Sequence, residues 1–168
     1  YEILESYDFD VNLINARHIK NVSGRKTDVI DCQWIQQLHT YGLLQASFRP
    51  PEHICSIRSL VRHRDMLLRY RAAHIQHMQK ALELMNLKLT NVLSDITGVT
   101  GMQIIRAIVA GERRREVLAS YRQGGCAKSE SEIAKSLEGN YKHEHLFALQ
   151  QALELFDFYS QQIQACDL

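Results

Sequence analysis

The run that follows Pro50–Pro51 restricts the possible folds more than any other segment, because its apolar side chains recur at alternating steps of three and four residues. This seam consists of Ile54, Ile57, Val61, Leu68, Ile75, Met78, Leu82, Met85 and Leu89, with Arg64 and Arg71 at two intervening positions. The spacing is typical of a coiled-coil helix, and proline suits a first helical turn. It predicts one long helix over 51–89, in which the two arginines fix the register or face a partner.

A second seam with the same spacing lies near the end of the chain. Its members are Leu146, Leu149, Leu153, Phe156 and Ile163, and its helix is predicted to begin near Ser129 or at His143. Two matching seams predict an antiparallel hairpin, or a dimer built from such hairpins. A shorter helix is predicted after ITGVTG, where Gly98 and Gly101 either relieve crowding in a tight turn or present backbone amides to phosphate.

Residues 1–48 carry a different pattern. YEILESY reads as the end of a helix, and Phe9, Val11 and Leu13 then alternate as in a strand. After a basic loop comes a helical stripe, made of Ile30, Trp34, Ile35 and Leu38, which ends near Tyr41–Gly42. A strand, a loop and a helix in this order predict an α/β unit. Since the chain begins without Met, we expect it to be a piece of a longer protein.

Charge and cysteine content bear on the class of protein. The net charge is only +1, so an argument for nucleic acid has to rest on local clusters. The four cysteines form no CxxC pair, which argues against a zinc ribbon or a disulfide scaffold. No leader or membrane-spanning run is present, so we expect a cytoplasmic protein with no membrane partner.

Asp28 and Asp31 are the candidate catalytic pair. Three residues apart on a helix, two carboxylates emerge on one face and supply the oxygen ligands that a hard divalent cation prefers. Aspartate in a first helical turn also caps free N–H groups and favours the positive end of the helix dipole. The spacing alone leaves both interpretations open.

Cations cluster in two places. Arg17, His18, Lys20, Arg25 and Lys26 immediately precede the aspartate pair, where a phosphodiester substrate would need positioning. The second cluster consists of Arg49, Arg58, Arg62, Arg64, Arg69, Arg71 and Lys80, against Glu52 and Asp65. Such a stretch either follows a phosphate backbone or is the solvated flank of a coiled coil. We select Arg58 and Arg62 as its candidate nucleic-acid-binding residues.

The run NARHIKNVSGRKTDVIDCQWIQQLHTYGLLQASFRPP resembles the hallmark segment of the DEDD insertion-sequence transposases. These are bacterial recombinases related to the pilin-gene invertase, and members of the family are guided by a bridge RNA. The segments HIQHMQKALELMNLKLTNVLSDITGVTG and EGNYKHEHLFALQQALELFDFY resemble that family's helical insert. The resemblance therefore covers essentially the whole chain.

The resemblance implies an RNase H-like domain, similar to the RuvC resolvase, in which four acids bind divalent metal. Asp28 and Asp31 match the last two acids, while the first Asp and the Glu have no counterpart here. The family's serine nucleophile belongs to a later domain, so Ser23, Ser94 and Ser129 do not match it. This implies Mg2+ or Mn2+ binding only together with acids missing from this chain, which alone is expected to be inactive.

The combined interpretation is a mainly α chain. Residues 1–48 are the C-terminal part of an RNase H-like catalytic domain, and residues 49–168 are a helical coiled-coil domain that joins protomers into a homodimer or higher oligomer. The expected partners are DNA and a guide RNA. Two alternatives stay open: a non-catalytic coiled-coil module that binds nucleic acid, and a RuvC-like metal-dependent nuclease or resolvase.

Overall fold

The computed structural model describes the backbone of residues 1–19 and 28–168, and the side chains of residues 1–17 and 31–168. The described chain is mainly helical, as the sequence predicts. The helices are α1 (Glu2–Glu5), α2 (Ala16–Ile19), α3 (Asp28–Thr40), α4 (Glu52–Leu84), α5 (Leu89–Val92), α6 (Val99–Val109), α7 (Arg115–Ala119), α8 (Glu130–Ser136) and α9 (His143–Cys166). In this part of the chain no helix combines the length and apolar character needed to cross a membrane.

The chain divides into two compact units, Tyr1–Ile57 and Arg58–Leu168. The predicted strand around Phe9–Leu13 belongs to the first unit, and the prediction is wrong for the described residues. There the pairing is limited to one antiparallel bridge between Ile14 and Ala46, beside which the Ser47 N–H donates to the Leu13 carbonyl at 2.7 Å. A strand needs a partner along its length, and the described part of this unit offers one bridging residue only.

Within the first unit, α3 ends where the sequence predicts. Gly42 adopts a positive φ of 68°, the Leu43 N–H donates to the Leu38 carbonyl and the Gly42 N–H donates to the His39 carbonyl. These two bonds form a Schellman motif, which satisfies carbonyls that the helix leaves unpaired. Leu38 is buried and Trp34 is half-buried, so the predicted stripe faces the interior of this unit at its C-terminal end.

In the second unit α4 and α9 run antiparallel. Arg64 bonds to Asp167, the Arg71 guanidinium lies over the Phe156 ring at 5.8 Å, and the His74 ring stacks on Tyr159 at 5.5 Å. Arg64 therefore meets the end of α9, whereas Arg71 and His74, which come later on α4, meet residues 156–159. The two helices pack against each other within one chain, while the coiled-coil pairing of the seams and the dimer stay predictions.

The core of the second unit explains why the long helix exists. Its fully buried side chains include Met78, Leu82, Met85, Leu87, Leu89, Ile96, Ile104, Ile105, Ile108, Leu118, Ile133 and Leu137. Burying each such side chain contributes about 1.5–3 kcal/mol, before chain entropy is subtracted. The C-terminal half of the α4 seam is part of this core. Earlier on the same helix, Leu60 and Val61 remain at least half exposed.

Local chemistry sets the ends of the other helices in this unit. Ser129 and Glu132 form a capping box at the start of α8, and α9 begins at His143, so the two predicted starting points belong to two different helices. Gly101 lies so close to Ile96 that an added Cβ would stand 2.2 Å from the Ile96 carbonyl oxygen. This contact confirms the predicted crowding at Gly101.

Candidate metal and nucleic-acid site

Asp28 and Asp31 lie in the first turn of α3. Asp28 is the first residue of the helix and Asp31 follows about one turn later, so the two positions lie on one side of it. The Asp31 side chain is exposed, and no residue in the described part of the chain donates a hydrogen bond to it. The side chain of Asp28 lies outside the described residues.

The described residues supply only part of a metal site. Across residues 1–17 and 31–168, no group of three His, Cys, Asp or Glu side chains is placed to hold an ion. The Asp31 carboxylate is a hard oxygen donor on an exposed helix face, which fits Mg2+ or Mn2+. Two such donors are fewer than the six oxygen ligands that Mg2+ takes, so water, substrate phosphate or further acids would have to supply the others.

The cations before the aspartate pair are mostly outside the described structure. This applies to Lys20, Arg25 and Lys26, and to the side chain of His18. Arg17 is described: it lies on α2 with its side chain exposed, and its backbone N–H donates to the Asn15 Oδ1 at 3.0 Å. Asn15 thereby caps α2, so the helix that carries Arg17 has a defined start.

Three arginines of the second cluster are engaged inside the protein. Arg49 donates to Glu2 at 2.7 Å and to Glu5 at 2.9 Å, and its guanidinium lies 4.2 Å from the centre of the Tyr1 ring. Arg64 donates to both Asp167 oxygens, at 2.6 and 3.1 Å, and this bond raises the pKa of Arg64. Arg71 covers Phe156. These contacts hold structure together and leave these side chains less available to a ligand.

The other four cations of that cluster share one exposed face of α4. Arg62, Arg69 and Lys80 follow Arg58 by four, eleven and twenty-two residues, which at about 100° per residue places all four within about 40° of one another. We call Arg58, Arg62, Arg69 and Lys80 the basic stripe. The buried Met78 lies about 160° from Arg58 by the same reckoning, so the stripe is opposite the core.

Sequence reasoning selected Arg58 and Arg62 but missed the other two members of the stripe. The signal was present, because projection at 100° per residue aligns Arg69 and Lys80 with them. The same projection places Arg64 and Arg71 on a different face of α4 from the basic stripe, the face that lies toward α9. Position on the helix thus divides the cluster into structural and exposed cations, which composition alone does not do.

Two further groups of polar side chains form no site in the described part of the chain. His74 and His77 lie with ring centres 5.5 Å apart, but the described residues give them no third ligand. The Ser129 hydroxyl is bonded to Glu132 at 3.0 Å in the capping box of α8, which gives it a structural role.

Comparison with known proteins bears on the site directly. The family model for DEDD transposases of IS110-type insertion sequences, described as transposase, matches residues 1–87. That range is more than half of the 168-residue chain and includes both aspartates, the cations before them and the whole basic stripe. No curated protein and no solved structure matches the chain. The family match alone is sufficient to conclude that this protein belongs to the IS110-type DEDD transposase family.

Proposed function

We propose that the intact protein cleaves and exchanges DNA strands, with Asp28 and Asp31 forming half of a divalent-metal site. The observation that carries this proposal is the position of both residues in the first turn of α3, inside the segment that matches the transposase family. Asp28 and Asp31 would hold a divalent ion there, which when bound would supply Lewis-acid polarisation of the scissile phosphate and stabilise charge on the leaving oxygen. The remaining acids of an RNase H-like site come from outside this chain.

The surface of the first unit supports its assignment to a larger RNase H-like domain. Phe48 is 85% exposed and Phe9 is 62% exposed, and Tyr7, Tyr41 and Leu43 are exposed as well. Soluble domains seldom leave so many large apolar side chains in contact with water. The remaining domain would cover these residues.

The cations near the aspartate pair would position nucleic acid at the metal site. Arg17 is exposed on α2, and His18, Lys20, Arg25 and Lys26 follow it in sequence. Arg58 and Arg62 add a second exposed pair on α4. Phosphate contacts of this kind fix the register and orientation of a nucleic acid without reading its sequence. DNA is the proposed substrate, with a guide RNA as the second nucleic-acid partner.

The exposed part of the α4 seam supports the proposed homo-oligomer. Val61 of the seam and its neighbour Leu60 belong to the N-terminal half of the helix, and both side chains are at least half exposed. A recombinase holds two duplexes at once, and a seam that continues beyond the α9 pairing would join protomers as a coiled coil. Leu60→Asp with Val61→Asp should lower the mass measured by sedimentation. An unchanged mass would contradict this interface.

Metal-dependent DNA cleavage by the intact protein tests the catalytic proposal. Asp28→Asn and Asp31→Asn keep a side-chain oxygen that caps a helix about as well as Asp, but they remove the charge that a cation needs. Each should reduce Mg2+- or Mn2+-dependent cleavage at least about a hundredfold, a loss of about 2.7 kcal/mol in transition-state stabilisation. Thermal unfolding should change little.

The matched control is Asp10→Asn, which removes an exposed carboxylate elsewhere in the first unit. It should cleave as the unmodified protein does. Full activity in both Asp28→Asn and Asp31→Asn would assign the pair to helix capping and end the catalytic proposal. A denaturing gel separates transposase from resolvase, since only a serine-dependent recombinase accumulates a covalent protein–DNA adduct.

A further inference from the structure

The four cations of the basic stripe lie in a line along one face of α4, well beyond the pair Arg58 and Arg62. We infer that Arg58, Arg62, Arg69 and Lys80 form a continuous track on α4 for the sugar–phosphate backbone of a nucleic-acid duplex. The inference deepens the proposed function, on which it relies for a nucleic acid as the ligand. It assigns duplex binding to the helical unit Arg58–Leu168, separately from the aspartate pair of the first unit.

Exposure and orientation support the track. All four cations are exposed, and no carboxylate in the described residues forms an ion pair with them, whereas Arg49 and Arg64 are paired. They project from the face opposite the buried side chains, so a ligand reaches them without disturbing the core. Asp65 and Glu83 lie at the edge of the same face and reduce its net charge, but the cations still outnumber them.

The spacing along α4 fits a duplex. Arg58 and Lys80 are about 33 Å apart along the helix axis, and Arg69 lies about 16 Å from each. One turn of duplex DNA extends over about 34–36 Å. A helix lying along the duplex therefore meets one strand near Arg58 and again near Lys80. Between those points it crosses the opposite strand, on the part of the helix that carries Arg62 and Arg69.

The absence of aromatic groups from the stripe favours a duplex over a single strand. Proteins that bind single strands combine basic grooves with aromatic side chains on which the bases stack. On α4 the residues at the stripe angle are Arg58, Arg62, Arg69, Gln76 and Lys80, with Asp65 and Glu83 beside them. None of these is aromatic, so the face lacks the stacking groups of a single-strand groove and offers mainly charge and hydrogen bonds to phosphate.

Binding of the full chain to labelled duplexes tests the inference. The probes are a DNA duplex of about two turns, an RNA duplex of the same sequence, a DNA duplex of about half a turn and the single DNA strand. We expect the longer duplexes to bind more tightly than the half-turn duplex and the single strand. The long duplex that binds with the higher affinity identifies which nucleic acid the stripe contacts. If neither long duplex binds, the inference is wrong.

Variants locate the binding surface. Arg58→Gln, Arg62→Gln and Arg69→Gln together should weaken duplex binding at least about tenfold and should reduce the slope of log K against log salt by about 3. Lysine at the same three positions keeps the charge and should restore most of the affinity. The matched control removes three exposed cations elsewhere in this unit: Lys88→Gln, Lys135→Gln and Lys142→Gln.

Equal losses in the stripe variant and the control would show non-specific attraction and would overturn the inference, as would wild-type affinity in the stripe variant. All three variants should unfold at the wild-type temperature, because every substituted side chain is exposed. The variants Asp28→Asn and Asp31→Asn, which test cleavage, keep all four residues of the basic stripe. Duplex binding without metal-dependent cleavage therefore contradicts only the catalytic proposal, and cleavage without stripe-dependent binding contradicts only this inference.

Discussion

Arg106 on α6 and Asp157 on α9 form a doubly hydrogen-bonded ion pair, with Arg106 Nη1 donating to Asp157 Oδ2 at 2.7 Å and Nη2 donating to Oδ1 at 2.6 Å. The hydrogen bond to Asp157 raises the pKa of Arg106. The pair lies beside the buried Ile105 and Leu153 of the same two helices. It therefore joins α6 and α9 at the edge of their apolar contact.

Replacing either partner of this pair should lower stability modestly. Both side chains are partly exposed, so water screens the attraction, and we expect Arg106→Gln and Asp157→Asn each to cost about 0.5–1 kcal/mol in the free energy of unfolding. Urea denaturation measures the loss. The double variant should lose about as much as either single variant, because the same interaction is removed. Additive losses would show that the two side chains act independently.

His74 should make the stability of the second unit depend on pH. Its ring lies against Tyr159 and near His77, its Nδ1 is buried without a hydrogen-bond partner in the described structure, and burial, followed by the charge of His77, lowers the pKa of His74. The folded chain therefore resists protonation more than the unfolded chain, whose histidines titrate near 6.5. Stability is complete above that pH and falls as the pH decreases through it.

A comparison of variants isolates this effect. His74→Phe keeps a ring against Tyr159 but cannot be protonated, so its free energy of unfolding should fall less between neutral and mildly acidic pH than that of the unmodified chain. His63→Phe, at an exposed position of the same helix, serves as the control and should keep the full pH dependence. If His74→Phe loses stability with acid as the unmodified chain does, other groups account for the pH effect.

The sequence predicts where the longer helices of this protein lie better than it predicts which of their side chains are buried. The α4 seam predicts a long helix because its apolar side chains recur at steps of three and four residues. The spacing does not show which of these side chains are buried. Leu82 is buried and Val61 is half exposed although both occupy seam positions. The difference depends on where α9 lies, and that is a tertiary property. The short α2, α5 and α7 were not predicted, since four or five residues are too few to show a helical period, and α2 lies at the start of the predicted basic loop.

The candidate site was predictable to a similar degree. The helical position of Asp28 and Asp31 follows from the pattern that begins near Thr27, and the structure places both on α3. Arg64 and Arg71 were counted with the basic cluster, but Asp167 and Phe156 engage them from almost the other end of the chain. Pairings over such a separation in sequence leave no local signal.

Leu82→Ala should destabilise the second unit strongly. Leu82 is fully buried where α4 enters the core, and truncating such a side chain removes apolar contact and leaves a cavity. The expected cost is about 2–5 kcal/mol in the free energy of unfolding. Val61→Ala on the same seam should cost less than about 0.5 kcal/mol in a monomeric preparation. Calorimetric or urea unfolding of the two variants should therefore differ clearly, and similar losses would place Val61 in a packed interface.

Gly101→Ala should be disruptive, because Gly101 lies in the first turn of α6 and packs against the backbone of Ile96 in the turn before that helix. The new Cβ would stand 2.2 Å from the Ile96 carbonyl oxygen and 2.7 Å from its carbonyl carbon, both of which are backbone atoms that cannot rotate away. The turn would have to open, at a cost of about 1–3 kcal/mol or more. Gly98→Ala is the matched control, because its Cβ would meet the Asp95 carbonyl oxygen at an ordinary 3.4 Å. Thermal unfolding should show a large loss for Gly101→Ala and a small one for Gly98→Ala. Equal effects would mean that the turn tolerates a side chain at Gly101 and that the close packing of Ile96 against α6 is not required.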